Sequence, residues 1–462
     1  MKPTLISALA LAGALALAPA ARAADPAPLP PKEWIDKDTG HRVVRLSEEP
    51  GSSSAYFNIN AFTPDGRYLV FSAPSGIQAM DLKTRALTTI VPGRAGLLFV
   101  GRKTGLIYYM QNAASSTMGH DANSAHTPGA VPAKPAPAAD ARGGPRAVMA
   151  IDIATKTARQ IALLEPGGAI ESINADETLL AGARTTGPSA VAAPGGMLTN
   201  KDPGDEVGPD GRKLTYAEGR EVQIHRRLMA KIPMEIFTIS TKTGARKVVT
   251  ASTDWLNHLQ FSPTDPNLLM YCHEGNWHIV DRLWLVRLDS DRPPVNIHVR
   301  TMNMEIAGHE WFSHDGKTVW YDLQTPRGED FWVAGYNVET GRRVRYHLDR
   351  NSWGVHFNSS PDGTLFSSDG GDSEMAAHAP DGKYIYLLRP RDIPDVAGIH
   401  AEGAENLIKP GVLDPEKLVN LQAHNYRSEP NATFTPDGQW LVFRSNLFGA
   451  GQVYAVEVAK AK

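Results

Sequence analysis

The chain has 462 residues, of which 42% are hydrophobic and 21% are charged, so it is long enough and apolar enough to bury a large core. Its 47 lysines and arginines against 50 aspartates and glutamates give a formal net charge of −3, which argues against binding to nucleic acid or to an anionic membrane surface. A single cysteine, Cys272, excludes an intrachain disulfide and any cluster of thiolates. We therefore expect a globular protein stabilised by packing.

The first 23 residues have the pattern of a secretory signal peptide. Lys2 provides a short positive region, an apolar run extends from Leu5 to Leu17, and Ala21-Arg22-Ala23 is a small-residue cleavage site. The apolar run is shorter than the ~20 residues that span a bilayer, so no membrane insertion is expected after cleavage. The pattern predicts an exported mature chain of residues 24–462, in the periplasm or, alternatively, secreted. The alternative to cleavage is that residues 1–23 remain as a membrane anchor.

A short motif returns along the mature chain and predicts the fold. It combines an aromatic residue or serine, a serine or threonine, and a following Pro-Asp-Gly-like turn, and an apolar strand comes after most copies. The copies begin at Phe62, Phe261, Phe312, Ser359 and Phe434. Two weaker copies, at residues 101–157 and 173–244, bring the count to seven.

Seven antiparallel repeats of this kind indicate an all-β protein, a seven-bladed β-propeller, in which closure of the ring leaves only short strand edges. The segment from Arg42 to Ser47 resembles the outer strands of the repeats and precedes the first full copy. We expect this N-terminal strand to pair with the strand from Gln452 to Val458 and to complete the last blade. Residues 24–462 then form a single propeller domain.

Two insertions interrupt the repeats, at about residues 112–145 and 185–233. The first is rich in Ala, Pro and Gly and is predicted to be a surface loop. The second ends in a predicted helix from Tyr216 to Leu228 that carries Arg220, Arg226 and Arg227. These arginines either lie on a solvated helix face or extend over a ligand cleft.

In four blades the residue three positions before the start of the motif is polar. They are His258, His309, His356 and Asn431. Equivalent positions on the innermost strands converge on the channel of a propeller, so these side chains are candidates to bind a divalent metal or an anion. The alternative is that each histidine caps a strand or bonds a neighbouring carbonyl group.

A second group of polar residues lies between Tyr271 and Arg282. His273 and His278 are five positions apart, so they do not match the His-Glu-x-x-His zinc motif. His273, at a strand end beside a glycine, is a candidate general base because the ordinary histidine pKa lies near working pH. The alternative is a packed, hydrogen-bonded histidine.

At these residues the chain resembles the oligogalacturonate lyase family. The resemblance extends from about Arg212 to Val458 and is most specific at Cys272-His273-Glu274-Gly275. The other segments that carry it are Asp254 to His258, Val280 to Trp284, Gly308 to Trp311, Val355 to Asn358, Ser368 to Gly370 and the Phe434 repeat.

This resemblance implies a lyase that cleaves oligogalacturonides, or related 4-linked uronates, by β-elimination with a histidine base and a divalent metal, usually manganese. It implies that His273 is the base and that His309 is a metal ligand. His258 and His356 match further histidines of the active centre, and we assign them to substrate binding. Where the family has His-Pro-His before the last blade, this chain has Glu429-Pro430-Asn431.

The remaining assignments combine the chemistry of elimination with the resemblance, which implies that residues 426, 429 and 431 stand at metal-ligand positions. Glu429 and Asn431 offer oxygen ligands to the metal, whereas the family's glutamine ligand falls on Tyr426, which we place among the substrate-binding residues. An arginine suits the uronate carboxylate, so Arg282 and Arg220 are predicted to be catalytic, and Arg226 and Arg227 to bind substrate. The competing hypothesis is a non-catalytic propeller, either a TolB-like periplasmic scaffold or a sugar-binding module.

Overall fold

A computed structural model describes residues 29–111, 146–186, 198–199 and 201–461 of the chain. Within these residues the strands form six sheets, and one eight-stranded sheet consists of two blades, which gives seven blades around a central channel. The predicted seven-bladed propeller is confirmed. The predicted signal peptide and the first insertion lie outside the described residues. No helix in the described part of the chain is long and apolar enough to cross a membrane.

The strands follow one another around the ring in chain order, after two N-terminal strands that belong to the last blade. These two are β1 (Glu33–Ile35) and β2 (His41–Arg45). Blade 1 contains β3 (Tyr68–Ala73), β4 (Gly76–Asp81) and β5 (Leu87–Pro92). Blade 2 contains β6 (Ala95–Val100), β7 (Ile107–Gln111), β8 (Arg146–Ile151) and β9 (Ala158–Leu164). Blade 3 contains β10 (Gly168–Ile173), β11 (Leu179–Thr185), β12 (Met234–Ser240) and β13 (Arg246–Ser252).

Blades 4 to 7 provide most of the predicted site. Their strands are β14 (Trp255–Phe261), β15 (Leu268–Glu274), β16 (Leu283–Arg287), β17 (Val295–Asn296); β18 (Ile306–Phe312), β19 (Thr318–Gln324), β20 (Phe331–Asn337), β21 (Arg343–Leu348); β22 (Phe357–Ser359), β23 (Phe366–Asp369), β24 (Tyr384–Asp392), β25 (Lys409–Asn420); and β26 (Thr433–Phe434), β27 (Trp440–Ser445), β28 (Gln452–Lys460). Blades 5 and 6 merge into one sheet because β21 pairs with β25 in parallel.

The N-terminal strand closes the ring as predicted. Strand β2 pairs antiparallel with β28, so that Val43 lies opposite Val456. The backbone N–H groups of Leu46 and Ser47 continue the pairing by donating to the carbonyl oxygen of Val453. Closure covers the edge of β28, which would otherwise expose unpaired backbone groups.

The repeated motif forms the same turn in four blades. Its hydroxyl donates a 2.6 Å hydrogen bond to the aspartate two positions later, in the pairs Thr63–Asp65, Ser313–Asp315, Ser360–Asp362 and Thr435–Asp437. The glycine that follows each aspartate has a positive φ, for example 67° at Gly66. Because a side chain disfavours that conformation, the turn requires Asp-Gly, which explains why the motif is visible in the sequence.

The innermost strands of blades 4 and 5 carry β-bulges at the residues of interest. Register shifts interrupt the pairing between Asn257 and Gln260 and between Gly308 and Trp311. His258 and His309 accordingly have positive φ values of 53° and 45°. A bulge turns successive side chains away from strict alternation, so His309 and Glu310 both lie close to the channel.

The second insertion contains helix α1 (Tyr216–Met229), close to the predicted limits. Thr215 caps its N-terminus in a capping box with Glu218. Glu221 forms an ion pair with Arg327 after β19, and its carbonyl oxygen accepts a hydrogen bond from Asn276 after β15. Both loops adjoin the starts of the innermost strands, so α1 lies across that mouth of the channel.

Candidate functional site at the channel mouth

The first part of the site is a buried group that we call the arginine cluster, formed by His258, Glu274, Arg282 and Glu310. Arg282 Nη1 donates to Glu274 Oε1 at 2.8 Å, and Arg282 Nε donates to Glu310 Oε2 at 3.1 Å. His258 Nε2 lies 3.1 Å from Glu274 Oε2. The cluster therefore joins blades 4 and 5 through ion pairs removed from solvent.

The charges of the arginine cluster stabilise one another. Burial alone would raise the pKa of both carboxyls, but the adjacent Arg282 holds the pKa of Glu274 and Glu310 below the ordinary value. Burial likewise opposes the charge on Arg282, and the surrounding anionic groups raise its pKa. The guanidinium is thus committed to two buried carboxylates. This corrects the prediction that Arg282 meets the substrate carboxylate.

The second part is a group that we call the histidine cluster, formed by His309, His356, Asp369, Tyr426 and Glu429. The rings of His309 and His356 meet edge to face, with centroids 4.8 Å apart. His309 Nδ1 lies 3.1 Å from Asp322 Oδ1, and His356 Nδ1 lies 3.1 Å from Asp369 Oδ2. A carboxylate on Nδ1 fixes the ring and leaves Nε2 available as a ligand or base.

Asp369 organises the histidine cluster. Its carboxylate accepts hydrogen bonds from Tyr426 Oη at 2.8 Å and from the backbone N–H of Asn431 at 2.8 Å. Burial opposes its ionisation, but His356 and these donors keep the pKa of Asp369 below the ordinary value. Tyr426 also lies 3.1 Å from His356 Nδ1 and is only 4% exposed. Tyr426 is therefore a positioning residue, which corrects its assignment to substrate binding.

Glu429 faces the histidines. Its Oε2 lies 3.8 Å from His356 Nε2 and has no hydrogen-bond partner. Burial raises the pKa of Glu429, while the charges of His356 and of Arg220 on α1 act in the opposite direction. Burial would lower the pKa of His356, but Asp369 and Glu429 raise it above the ordinary value. The structure thus brings His309, His356 and Glu429 together at one mouth.

The predicted base lies on a different face of its strand. Side chains alternate along β15, so Glu274 points into the arginine cluster and His273 points away from it. His273 Nδ1 lies 3.0 Å from Asp254 Oδ2, and its ring adjoins Trp284. Its side chain is 17% exposed, against 1% for His356. The His273–Asp254 pair resembles a general base whose tautomer is set by a carboxylate.

Three further assignments are corrected by the contacts. Arg226 forms a bidentate ion pair with Glu206, at 2.6 and 3.0 Å, which holds α1 on the preceding segment. Arg227 is buried beneath α1, where it donates to Met234 Sδ at 3.2 Å. The Asn431 amide accepts from the Phe57 backbone N–H and donates to the Glu429 carbonyl. Arg226 and Arg227 therefore stabilise the helix, and Asn431 orders the start of blade 7 instead of offering a metal ligand.

Sequence reasoning missed the partners that come from distant segments. Glu171 of blade 3 accepts a 2.9 Å hydrogen bond from the Leu259 N–H in the bulge of blade 4, and burial raises its pKa to about 7. Tyr56 lies beside both clusters, with its ring centroid 5.3 Å from that of His356. Asp254, Asp322 and Asp369 each orient a histidine. Asp254 and Asp369 lie in two segments that carry the family resemblance, Asp254 to His258 and Ser368 to Gly370, and this was the only signal available for them.

Two sets of residues have the donor types of a metal site. His258, Cys272 and Glu310 have ligand atoms within 4.8 Å of one another, but a hard ion such as Mn²⁺ disfavours the thiol. In the histidine cluster, His309 and His356 have carboxylate-bound Nδ1 atoms, and Glu429 Oε2, which has no hydrogen-bond partner, lies 3.8 Å from His356 Nε2. This nitrogen and oxygen set fits a manganese-like divalent ion better.

Comparison with known proteins shows the family of the chain. The family model described as oligogalacturonate lyase matches residues 222–462, which is more than half of the chain. The chain belongs to the oligogalacturonate lyase family. The match contains every member of the arginine and histidine clusters, whereas Glu171, Tyr56 and Arg220 lie before it.

Individual members of the oligogalacturonate lyase family match most of the chain. The oligogalacturonate lyase of Dickeya dadantii is 22% identical over 92% of this chain and 95% of its own length. The oligogalacturonide lyase of Pectobacterium atrosepticum is 21% identical over 93% of this chain and 97% of its own. A solved oligogalacturonate lyase in complex with manganese superposes with a TM-score of 0.65 at 20% identity, over 93% of this chain and 96% of that one.

Proposed function

We propose that the protein cleaves oligogalacturonides by β-elimination at the channel mouth beneath α1. The observation that carries this proposal is the convergence of His309, His356 and Glu429, from three blades, in a chain of the oligogalacturonate lyase family. Elimination from a 4-linked uronate requires removal of the C5 proton, neutralisation of the charge that develops on the carboxylate, and departure of O4.

His273 is the proposed base. The Asp254 carboxylate at Nδ1 favours the tautomer with a proton there, so Nε2 carries the lone pair that accepts the C5 proton. Partial exposure of this side chain allows a sugar to reach it.

Arg220 is the proposed partner of the substrate carboxylate. It lies in the first half of α1, the helix across this mouth, and its charge acts to lower the pKa of Glu429, which supports this assignment. Unlike Arg282, it is not committed to two buried carboxylates.

A divalent ion, with manganese favoured, is the proposed cofactor, and His309, His356 and Glu429 would hold it. When bound, the ion supplies positive charge that stabilises the enediolate-like form of the uronate. Asp322 and Asp369 orient the two imidazoles through their Nδ1 atoms.

The decisive experiment measures unsaturated uronate by its ultraviolet absorbance while the protein is incubated with oligogalacturonides and Mn²⁺. We expect His273→Ala to lose roughly 10²–10⁴-fold in rate, as for loss of a general base. The matched control is His278→Ala, which changes a partly exposed histidine in the following loop. The rate of the wild type should depend on pH through a limb that is absent from the residual rate of the variant.

Two outcomes would contradict the proposal. Near-normal turnover of the His273→Ala protein, with the same pH dependence, would place the base elsewhere, and His258 and His356 would be tested next. The absence of product from a panel of polyuronates with added metals would favour the non-catalytic scaffold or sugar-binding module.

The cellular location of the protein is also proposed from the N-terminal sequence. We propose cleavage after Ala23 and export to the periplasm, because residues 1–23 combine a positive start, an apolar run and a small-residue site. Mass spectrometry of protein recovered from the periplasmic fraction should find Ala24 as the first residue. An intact Met1 in the native host would refute this proposal.

A further inference from the structure

The sole cysteine of the chain lies beside the arginine cluster. Cys272 is fully buried, and its Sγ is 2.8 Å from Asn257 Oδ1. Its Sγ, a ring nitrogen of His258 and a carboxylate oxygen of Glu310 all lie within 4.8 Å of one another. A thiol, an imidazole and a carboxylate in this proximity have the donor types of a zinc site.

One oxygen in this group has no hydrogen-bond partner. Arg282 binds Glu310 through Oε2, whereas Glu310 Oε1 is buried and unpartnered. His258 Nδ1 lies 3.9 Å from the same Oε1, which is beyond hydrogen-bond distance. Since buried carboxylate oxygens are normally satisfied, this atom indicates the position of a missing cationic group.

The charge balance of the cluster agrees with a missing cation. Glu274 and Glu310 carry two negative charges, and Arg282 supplies one positive charge. With His258 neutral, as a metal ligand must be, one negative charge is left over beside its ring in a buried place, where it is costly unless compensated. A divalent ion that displaces the thiol proton of Cys272 adds two positive charges and one negative charge, which brings the total to zero.

We propose that Cys272, His258 and Glu310 form a second metal site, selective for Zn²⁺ and similar thiophilic ions and separate from the histidine cluster. On binding, the S–H bond of Cys272 breaks heterolytically, the proton leaves to solvent, and the thiolate sulfur forms a bond to the ion. His258 and Glu310 Oε1 contribute the other two protein ligands. No oxidation occurs.

The two sites differ in the kind of ion that they suit. Thiolate and imidazole ligands select Zn²⁺ or Co²⁺, whereas the imidazole and carboxylate set of the histidine cluster suits Mn²⁺. The proposal does not depend on catalysis, since its evidence is the donor set, the unpartnered oxygen and the charge count.

Cobalt titration tests the site directly. Co²⁺ is added to the chelator-treated full-length protein, and the near-ultraviolet thiolate-to-cobalt charge-transfer band is recorded. Because Cys272 is the only cysteine, the band can arise from no other residue. We expect saturation at about one equivalent and loss of the band when Zn²⁺ is added.

Three variants complete the test. Cys272→Ser should show no band, and Glu310→Gln should weaken Co²⁺ binding by roughly tenfold or more while circular dichroism confirms its fold. His309→Ala, in the other cluster, should keep the band. No band in the wild-type protein, unchanged Co²⁺ affinity in Glu310→Gln, or loss of the band in His309→Ala would overturn the proposal.

Discussion

The arginine cluster and the histidine cluster lie at the same channel mouth, but their buried carboxylates are compensated by different kinds of positive group. In the first, Arg282 is a permanent cation fixed between Glu274 and Glu310. In the second, the carboxylates face imidazoles whose charge is variable, and the nearby guanidinium of Arg220 is carried by a separate helix.

This difference gives the arginine cluster a structural role and leaves the histidine cluster able to bind protons or metal ions. A guanidinium held by two carboxylates joins blades 4 and 5 and has little capacity left for an anionic substrate. Imidazoles oriented by carboxylates can accept a proton or a metal ion, because one nitrogen of each ring is left for that purpose. If the two clusters are divided in this way, substitutions in the first should mainly change stability and substitutions in the second should mainly change metal affinity and activity.

Removal of the Arg282 guanidinium should have the largest effect on the stability of the fold. We expect Arg282→Met to lower the free energy of unfolding by about 3–5 kcal/mol, because it leaves two buried carboxylates without their partner. Urea denaturation measures the change. The control is Arg391→Met, which breaks an exposed ion pair with Asp414 and should leave stability almost unchanged. Equal losses in the two variants would contradict a structural role specific to Arg282.

Glu171 should make stability depend on pH. Burial raises its pKa from the ordinary 4.5 to about 7, so the folded protein retains a proton that the unfolded chain has lost. Its contribution is fully present below pH 4.5 and is lost as pH rises towards 7, by an amount on the order of 3 kcal/mol.

Glu171→Gln removes this titration but keeps an oxygen that can accept from the Leu259 N–H. Thermal unfolding with a chelator present should therefore show a smaller fall in Tm between pH 5 and 7.5 for the variant than for the wild type. Parallel pH profiles would show that Glu171 is ionised in the folded protein throughout this range.

The orienting carboxylates should matter more for metal affinity than for folding. Asp322→Asn should weaken Mn²⁺ binding by roughly 10–100-fold, because His309 loses the carboxylate that fixes its Nδ1. Asp330→Asn is a matched control, since it alters an exposed His–Asp pair with His347. Calorimetric titration with Mn²⁺ distinguishes the two, and similar affinities would exclude His309 as a ligand.

The smallest effect is expected at the cap of α1. Thr215→Ala should destabilise the helix by about 1 kcal/mol, measured by hydrogen exchange of its amides, while Thr215→Ser should retain the cap. If Arg220 serves the histidine cluster from this helix, the alanine variant should also raise KM for oligogalacturonides. A raised KM in the serine variant as well would separate the effect from capping.

The sequence predicted those parts of the molecule that recur. The Asp-Gly turn and the closing strand are local patterns, and comparison of the blade starts identified His258, His309 and Asn431, which share positive φ values of 53°, 45° and 53°. His356 was found by the same rule but lies one residue before β22, outside the positive-φ set. The repeat therefore predicted positions near the channel and did not predict what each side chain contacts.

The contacts depend on packing between distant segments. Glu171 is 88 positions from Leu259, and the Phe57 N–H is 374 positions from the Asn431 amide that accepts it. Such pairs leave no local pattern, so the sequence could not show that Asn431 and Arg282 are occupied by the fold. Helix α1 was predictable from its apolar spacing, but its placement over the mouth follows from an ion pair with one loop and a hydrogen bond with another.

The closing strand has a consequence for how the chain folds. His41 Nδ1 and the Glu457 carbonyl oxygen are 2.9 Å apart in space and 416 residues apart along the chain. The strand His41–Arg45 is near the start of the chain, whereas its partner β28 is the last strand. The two can therefore pair only after nearly the whole polypeptide has been made. Contacts of such long range are formed slowly, so ring closure should be the final kinetic step, and chains truncated before Gln452 should persist as open, association-prone intermediates.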